Sequence, residues 1–416
     1  MAVEAARQAK PGSVNQVLFA TTSPPYVEKL NAAAIHAALD LPGATRAVDL
    51  GDSTRSGLAA LCLAAESSGL SLVCMSDVVV GAPGGERASG GGDAAAAFEV
   101  GQGEGFANIL GTGASTEELL DTWRTPAQQF AKQWESRFSE PILAELMGAA
   151  LAQALEKAGK STADLTKVAA ASTNARAVRV FAKKAGLKPE QLADNVTGSV
   201  GRAGAAHVGL MLASLLDGAQ AGDLIAAVCG VDGAEAIVIE VTADIATSRP
   251  CRSVAQWIES KSSDLDYTRY LKWRGVMPFE PPRRPDPARP AAPPMRRVER
   301  WKYAFVGSRC KSCGAGNLPP QRVCTICGSI DDSEPEPYAD EKGKVATYTV
   351  DHLAYSLQPP VVAAVIDFDK GGRFTCQLAD VDPEKVAIGD ELEMTFRLLF
   401  TADGVHNYFW KARTLR

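Results

Sequence analysis

The chain has 416 residues, 46% of them hydrophobic and 22% charged, with 43 Lys and Arg against 49 Asp and Glu. That length allows two or three domains, each with its own core, and the charge balance excludes both a disordered chain and a strongly basic one. No apolar run approaches the roughly 18 to 20 residues of a membrane span, and MAVEAARQAKPGS lacks the apolar core of a secretion signal, so the chain is expected to be cytoplasmic with no membrane partner.

In chain order, short β-rich runs alternate with helical ones: QVLFAT, then NAAAIHAAL, TRAVDLG, SGLAALCLAAESS and LSLVCMSDVV. This is an α/β layered pattern. Its second half repeats the rhythm. ILAELMGAALAQALEKAG reads as an amphipathic helix, KVAAAS as a strand, ARAVRVFAKKAG and HVGLMLASLLDGA as helices, and DLIAAVCG with EAIVIEVT as a closing pair of strands. Two comparable halves imply an internal duplication. Residues 1–260 carry 28 acids to 20 bases, whereas residues 261–330 carry 14 bases to 5 acids. Within that basic belt, MPFEPPRRPDPARPAAPP has eight prolines, which favour an extended linker over helix or sheet. After it, ATYTVDHLAY, VVAAVIDF, FTCQLADV, ELEMTFRLLF and HNYFWKART are five strand-like runs, the number of an OB-type barrel.

Of nine cysteines, four fall in the pattern C-x2-C-x10-C-x2-C. Two knuckles, Cys310 with Cys313 and Cys324 with Cys327, supply four thiolates for a closed tetrahedral site suited to structural Zn²⁺, a geometry that iron also accepts. Cys62, Cys74, Cys229, Cys251 and Cys376 lie scattered in apolar sequence and read as small buried hydrophobes rather than a disulfide framework.

The segment DLGDSTRSGLAAL, residues 49–61, runs from an apolar lead-in through a turn of small polar residues into a helix. Such corners expose one side chain at a helix N-terminus, where a thiolate or oxyanion is stabilised. Together with SGGGDAAAAFEVGQGE and GDLIAAVCGVDGAEAIVIEV, this corner resembles the thiolase superfamily in its 3-hydroxy-3-methylglutaryl-CoA synthase-like branch. CKSCGAGNLPPQRVCTIC and IGDELEMTFR resemble the zinc-ribbon and OB-fold module of the DUF35 type. The resemblance covers nearly the whole chain. It implies an α/β fold: a thiolase-like layered domain over 1–250, a helical and proline-rich basic linker over 251–300, a zinc ribbon over 301–335 and an all-β OB-fold over 336–416. MAVEAARQA resembles a helix that family members reach after about fifty residues, so the domain is expected to be N-terminally shortened.

The family's chemistry uses a Cys nucleophile, a His and a Glu. Aligned through the quoted motifs, the Cys position falls on Thr54, the Glu position on Thr22 in VLFATTSPPY and the His position on Ala171 in VAAASTNARAV. A covalent thioester route lacks all three groups, since a Thr hydroxyl is a poor nucleophile at neutral pH. His207, in TGSVGRAGAAHVGL, is the histidine nearest the expected pocket and the remaining candidate for polarising a thioester carbonyl. Cys62, on the apolar face of the corner helix, reads as core.

The belt cations Arg283, Arg284, Arg296 and Arg297 are candidates for the phosphates of coenzyme A. Residues 331–416 carry 16 acids to 9 bases, which argues against nucleic acid on the barrel. DUF35 modules accompany acyl-CoA condensing and cleaving enzymes. The resemblance therefore implies a non-catalytic subunit paired with a Cys-bearing thiolase-like homologue, with zinc as structural cofactor and a CoA ester as ligand. The alternative is an active acyl-CoA retro-aldolase or condensing enzyme using Tyr26, Thr54, Asn174 and His207; a nucleic-acid or scaffold protein is a third.

Overall fold

Gln16–Thr21, Arg46–Gly51 and Ser71–Val78 are apolar runs bounded by turn residues, and they pair in parallel, with Phe19 opposite Asp49 on one side and Cys74 on the other. Asp93–Val100 adds an antiparallel strand, giving the sheet order 46–51, 16–21, 71–78, 93–100. A second sheet has the order 107–116, 233–241, 224–230, 167–172, with the last two strands parallel. These elements come from a computed structural model, which describes residues 1–280, 283, 285 and 287–415. The chain divides into two units, residues 1–33 with 43–263, and residues 34–42 with 264 onward.

The first unit contains two comparable four-stranded sheets. In each half a parallel strand carries an antiparallel neighbour, and both sheets face a shared central layer. Leu224–Gly230 shows why its sequence is apolar throughout: Ile225, Ala227 and Cys229 face the central layer, while Leu224, Ala226 and Val228 face the outer helices Ser136–Ala158 and Ala175–Lys184. A strand covered on both faces reads as a continuous hydrophobic run. The central layer holds the corner helix Ser56–Glu66 and the helix His207–Gly218. Leu58 and Leu61 of the corner helix are 0% and 3% exposed, each contributing about 2 kcal/mol of burial.

Two strands were not expected. DAAAAFEV and ANILGTGAST are poor in β-branched and aromatic residues, yet both form full strands. Tertiary packing explains the second: a Cβ at Gly111 or Gly113 would overlap backbone of the helix Ser136–Ala158. The glycines let that helix lie directly on the strand. The glycine-rich loops are similarly tight, because a Cβ at Gly92 would overlap the Val200 carbonyl.

In the second unit the five predicted barrel strands form one sheet in the order 373–377, 361–368, 343–351, 391–402, 405–414. A bridge between Leu378 and Ala412 brings its two edges together, as in a partly open OB barrel. Phe305, Tyr338 and Trp410 fill its interior, and Trp410 Nε1 donates to the Tyr303 carbonyl at 3.0 Å. A small three-stranded sheet, Val306–Cys310 between Gly316–Asn317 and Ser333–Pro337, carries the paired cysteines. Among the described residues no helix is long and apolar enough to cross a membrane.

Candidate functional site

Thr54 lies half-buried in the turn between the strand Arg46–Gly51 and the corner helix, after Asp52 at φ 79°. The residues beside it are committed to holding the corner in place. Ser53 Oγ donates to Asp232 Oδ1 at 2.8 Å, and the Arg55 guanidinium lies 3.2 Å from Glu235 and 3.5 Å from Asp232. One cation between two carboxylates thus staples the corner to the hairpin that joins strands 224–230 and 233–241. Burial pushes the Glu235 carboxyl up, and Arg55 opposes that shift.

A thiol does lie at the corner, on the neighbouring strand: Cys229 Sγ is 3.9 Å from the Thr54 carbonyl. It is fully buried, and burial pushes it up to about 12, so it stays a thiol at neutral pH. Cys62 is also buried; its Sγ donates to the Ala236 carbonyl at 3.7 Å and burial raises its pKa. Of the other scattered cysteines Cys74 is buried, but Cys376 is half-buried and Cys251 is exposed, in the polar stretch TSRPCRS that precedes a short helix.

Ala171 faces the central layer, in register with Cys229, and its methyl is 3% exposed. Thr22 hydrogen-bonds a residue that sequence reasoning missed. Asp77, 1% exposed at the end of its strand, accepts five hydrogen bonds: from Thr21 Oγ1 at 2.9 Å, Thr22 N at 2.7 Å, Thr22 Oγ1 at 3.0 Å, Ser23 Oγ at 2.8 Å and Ala205 N at 2.5 Å. One carboxylate therefore ties the Thr22 turn to the loop that precedes His207. The only sequence signal was the hydroxyl run TTS, which leaves donors in need of an acceptor. Asp121, likewise missed, is 1% exposed and accepts from Thr173 Oγ1 at 2.9 Å.

Of the remaining candidates, Asn174 and His207 are also built into the frame. Asn174 caps the helix Ala175–Lys184 and donates to the Ser136 carbonyl at 2.7 Å. The Tyr26 backbone N–H donates to Asn31 at 3.2 Å. His207 is 6% exposed, and burial, with Arg202 nearby, pushes its imidazole down from 6.5 to about 4. It is neutral at pH 7. The unfolded state takes up a proton below pH 6.5 while the folded state does not, so stability is whole above 6.5 and drains toward pH 4. Wild type should lose about 3 kcal/mol more than His207→Gln over that window, read by denaturant titration at both pH values; parallel profiles would show that the ring titrates freely.

In the second unit the two knuckles are near copies. Cys310 N donates to Ala315 O and Gly314 N to Cys310 O, with Gly314 at φ 74°; Cys324 N donates to Ser329 O and Gly328 N to Cys324 O, with Gly328 at φ 76°. A left-handed residue after each second Cys needs glycine, and this fixes both thiols on one side. The four Sγ atoms lie within 4.8 Å of one another, with Cys310 to Cys327 and Cys313 to Cys324 both at 3.7 Å. A tetrahedron of ~2.3 Å Zn–S bonds has edges of about 3.8 Å, so the donor set fits that ion. Backbone N–H groups of Cys327 and Ile326 bring Cys324 down to about 6, and Ser329 Oγ, 3.1 Å from Cys310 Sγ, lowers Cys310.

A cleft of about 830 Å³ lies beside the ribbon, lined by Arg296, Arg297, Trp301, Ser308, Pro319 and Glu334 among others. It holds two of the four belt cations named above. Arg296 is ion-paired with Glu299. Arg283 is exposed and does not line the cleft, and Arg284 lies outside the described residues.

Comparison with known proteins matches residues 336–397 to the C-terminal OB-fold domain of ChsH2. A DUF35 domain-containing scaffold protein of Methanocaldococcus jannaschii is 37% identical over 119 residues, 27% of this chain and 84% of that protein. The hydroxymethylglutaryl-CoA synthase of Methanothermobacter thermautotrophicus is 30% identical over 298 residues, 67% of this chain and 84% of that protein. Among solved structures, MvaS in complex with 3-hydroxy-3-methylglutaryl coenzyme A shares the fold, with a TM-score of 0.54 and 17% identity over 69% of this chain and 81% of that one.

Proposed function

Because the chain belongs to the hydroxymethylglutaryl-CoA synthase family of the thiolase superfamily through its first region and to the DUF35 family through its tail, we propose that it is the non-catalytic subunit of an acyl-CoA complex that makes or cleaves C–C bonds. Its thiolase-like region pairs with a Cys-bearing homologue, and its ribbon and barrel hold or pass the CoA ester. The observation that carries this reading is the state of the three corners. On our motif reading, Thr54, Ala171 and Thr22 take the places of the family's Cys, His and Glu, and their neighbours are engaged in structural contacts. A general acid or base must reach the proton that it moves, and two of the four candidates are committed to structural roles. His207 is buried and neutral, and Asn174 is a helix cap. That weighs against the retro-aldolase alternative. Co-expression with a Cys-bearing thiolase-like partner tests the reading: the two should co-purify, and failure to associate with any such homologue would count against it.

Cys310, Cys313, Cys324 and Cys327 would hold a structural Zn²⁺, whose closed set of four thiolates leaves no position for a catalytic water. Beside them, Arg296 and Arg297 offer cations to the phosphates of coenzyme A, and Trp301 offers an apolar wall. Replacing both arginines with alanine is expected to weaken binding of acetyl-CoA about tenfold and to flatten its salt dependence. Calorimetry at two ionic strengths reads this; unchanged affinity would show the belt to be only a linker.

A further inference from the structure

The two glycine-rich loops of the first unit meet at Arg202. Its backbone N–H donates to the Gly90 carbonyl at 2.8 Å, and its carbonyl accepts from Gly92 N at 3.0 Å, so the short helix Glu86–Gly90 is held against the loop that leads to His207. This crossing gathers cations. The Arg202 side chain packs against Gly90 and reaches Glu86 at 3.1 Å, but that carboxylate is 81% exposed and screened by water. Arg87, on the same short helix, has a buried Nε with no hydrogen-bond partner among the described residues. Burial disfavours its charge, Asp77 supports it, and Arg124 and Arg202 repel it. Asp77 already accepts five hydrogen bonds. His207 is neutral and adds neither attraction nor repulsion.

A half-buried guanidinium with an unused donor, on a helix that a second arginine packs against, is costly in the empty protein and is relieved by an anion with planar oxygens. We propose that Arg87 and Arg202 form an oxyanion-binding site at this loop crossing, taking either the free carboxylate of a dicarboxylic acyl chain or a phosphate of its CoA ester. The choice of ligand rests on the acyl-CoA reading above, while the site stands on the loop geometry. Its position is apt for a thioester held without being cut, because the crossing joins the loop before His207 to the Asp77 network under Thr22.

Thermal unfolding of the full chain tests it, with sodium glutarate and sodium phosphate compared against sodium chloride at equal ionic strength. Glutarate at saturation should raise the Tm of the first unit by about 3 °C. Arg87→Met should match or exceed the wild-type Tm without anion, since it removes an unpartnered buried donor, and should lose the glutarate effect. Arg202→Gln should lose the effect as well. A rise with phosphate but not glutarate, abolished by the same variants, would support the site and assign it to the phosphate of the ester. No rise with either anion, or a rise that survives both variants, would overturn the proposal. These outcomes are independent of partner binding and turnover, so failure of the subunit reading would leave them unchanged.

Discussion

Asp77→Ala should destabilise the first unit by about 3 to 5 kcal/mol, the largest effect expected of any single substitution outside the ribbon. The carboxylate is 1% exposed and accepts from five donors on two separate loops. Its removal leaves the buried N–H groups of Thr22 and Ala205 without an acceptor. It also leaves a void beside Gly204, whose hypothetical Cβ would meet Asp77 first. Asp77→Asn keeps the volume but turns an NH2 group toward donors, so it should recover only part of the loss. Urea unfolding followed by circular dichroism reads both variants. A loss below about 1 kcal/mol for Asp77→Ala would mean that water replaces the carboxylate and that the network is not what joins the two loops.

The second large effect concerns the cysteine knuckles. Protein purified without chelators should carry one zinc per chain, and Cys313→Ser should lose it under mild chelation and unfold the tail while the first unit stays intact. The donor set supports this. Structural zinc contributes on the order of 10 kcal/mol to the folding of small fingers, and the three-stranded ribbon sheet has little core of its own. Cys310 and Cys324 are buried, but Cys313 and Cys327 are exposed, an arrangement that leaves a metal-free ribbon open to oxidation. Metal analysis and limited proteolysis of both proteins check it. A chain with neither zinc nor iron, or a variant with a protease-resistant tail, would contradict it.

Much of this architecture was legible in the sequence, for reasons that also explain the omissions. LIAAVCG announced a strand, and it is apolar throughout because it alternates between two apolar layers with no polar side to show. The two Cys-x-x-Cys-Gly repeats announced their geometry because the left-handed turn after each pair requires glycine. DAAAAFEV and ANILGTGAST escaped notice because small residues signal neither helix nor strand, and there the close approach of another backbone decides. At the corner, the motif resemblance sets Thr54, Ala171 and Thr22 against the family's Cys, His and Glu, and this reading came from the residues alone. What stands around them was not legible there: Arg55 lies between Asp232 and Glu235, which follow it in sequence by 177 and 180 positions. Asp77 was hidden for the same reason, since its donors come from sequence-distant loops. The arginine crossing depends on the fold in the same way, because only the fold brings Arg87 to Arg202.

The central claim is that the corner keeps its shape and has no reaction of its own. The direct measurement is steady-state turnover of acyl-CoA substrates by the purified chain alone and by the chain co-expressed with a Cys-bearing partner, each as wild type and as Thr54→Ala. The account predicts no condensing or cleaving activity from the isolated chain. It predicts activity in the complex and a Thr54→Ala rate within about threefold of wild type, a barrier change under roughly 1 kcal/mol. Robust turnover by the isolated chain, abolished by Thr54→Ala or His207→Ala, would contradict it.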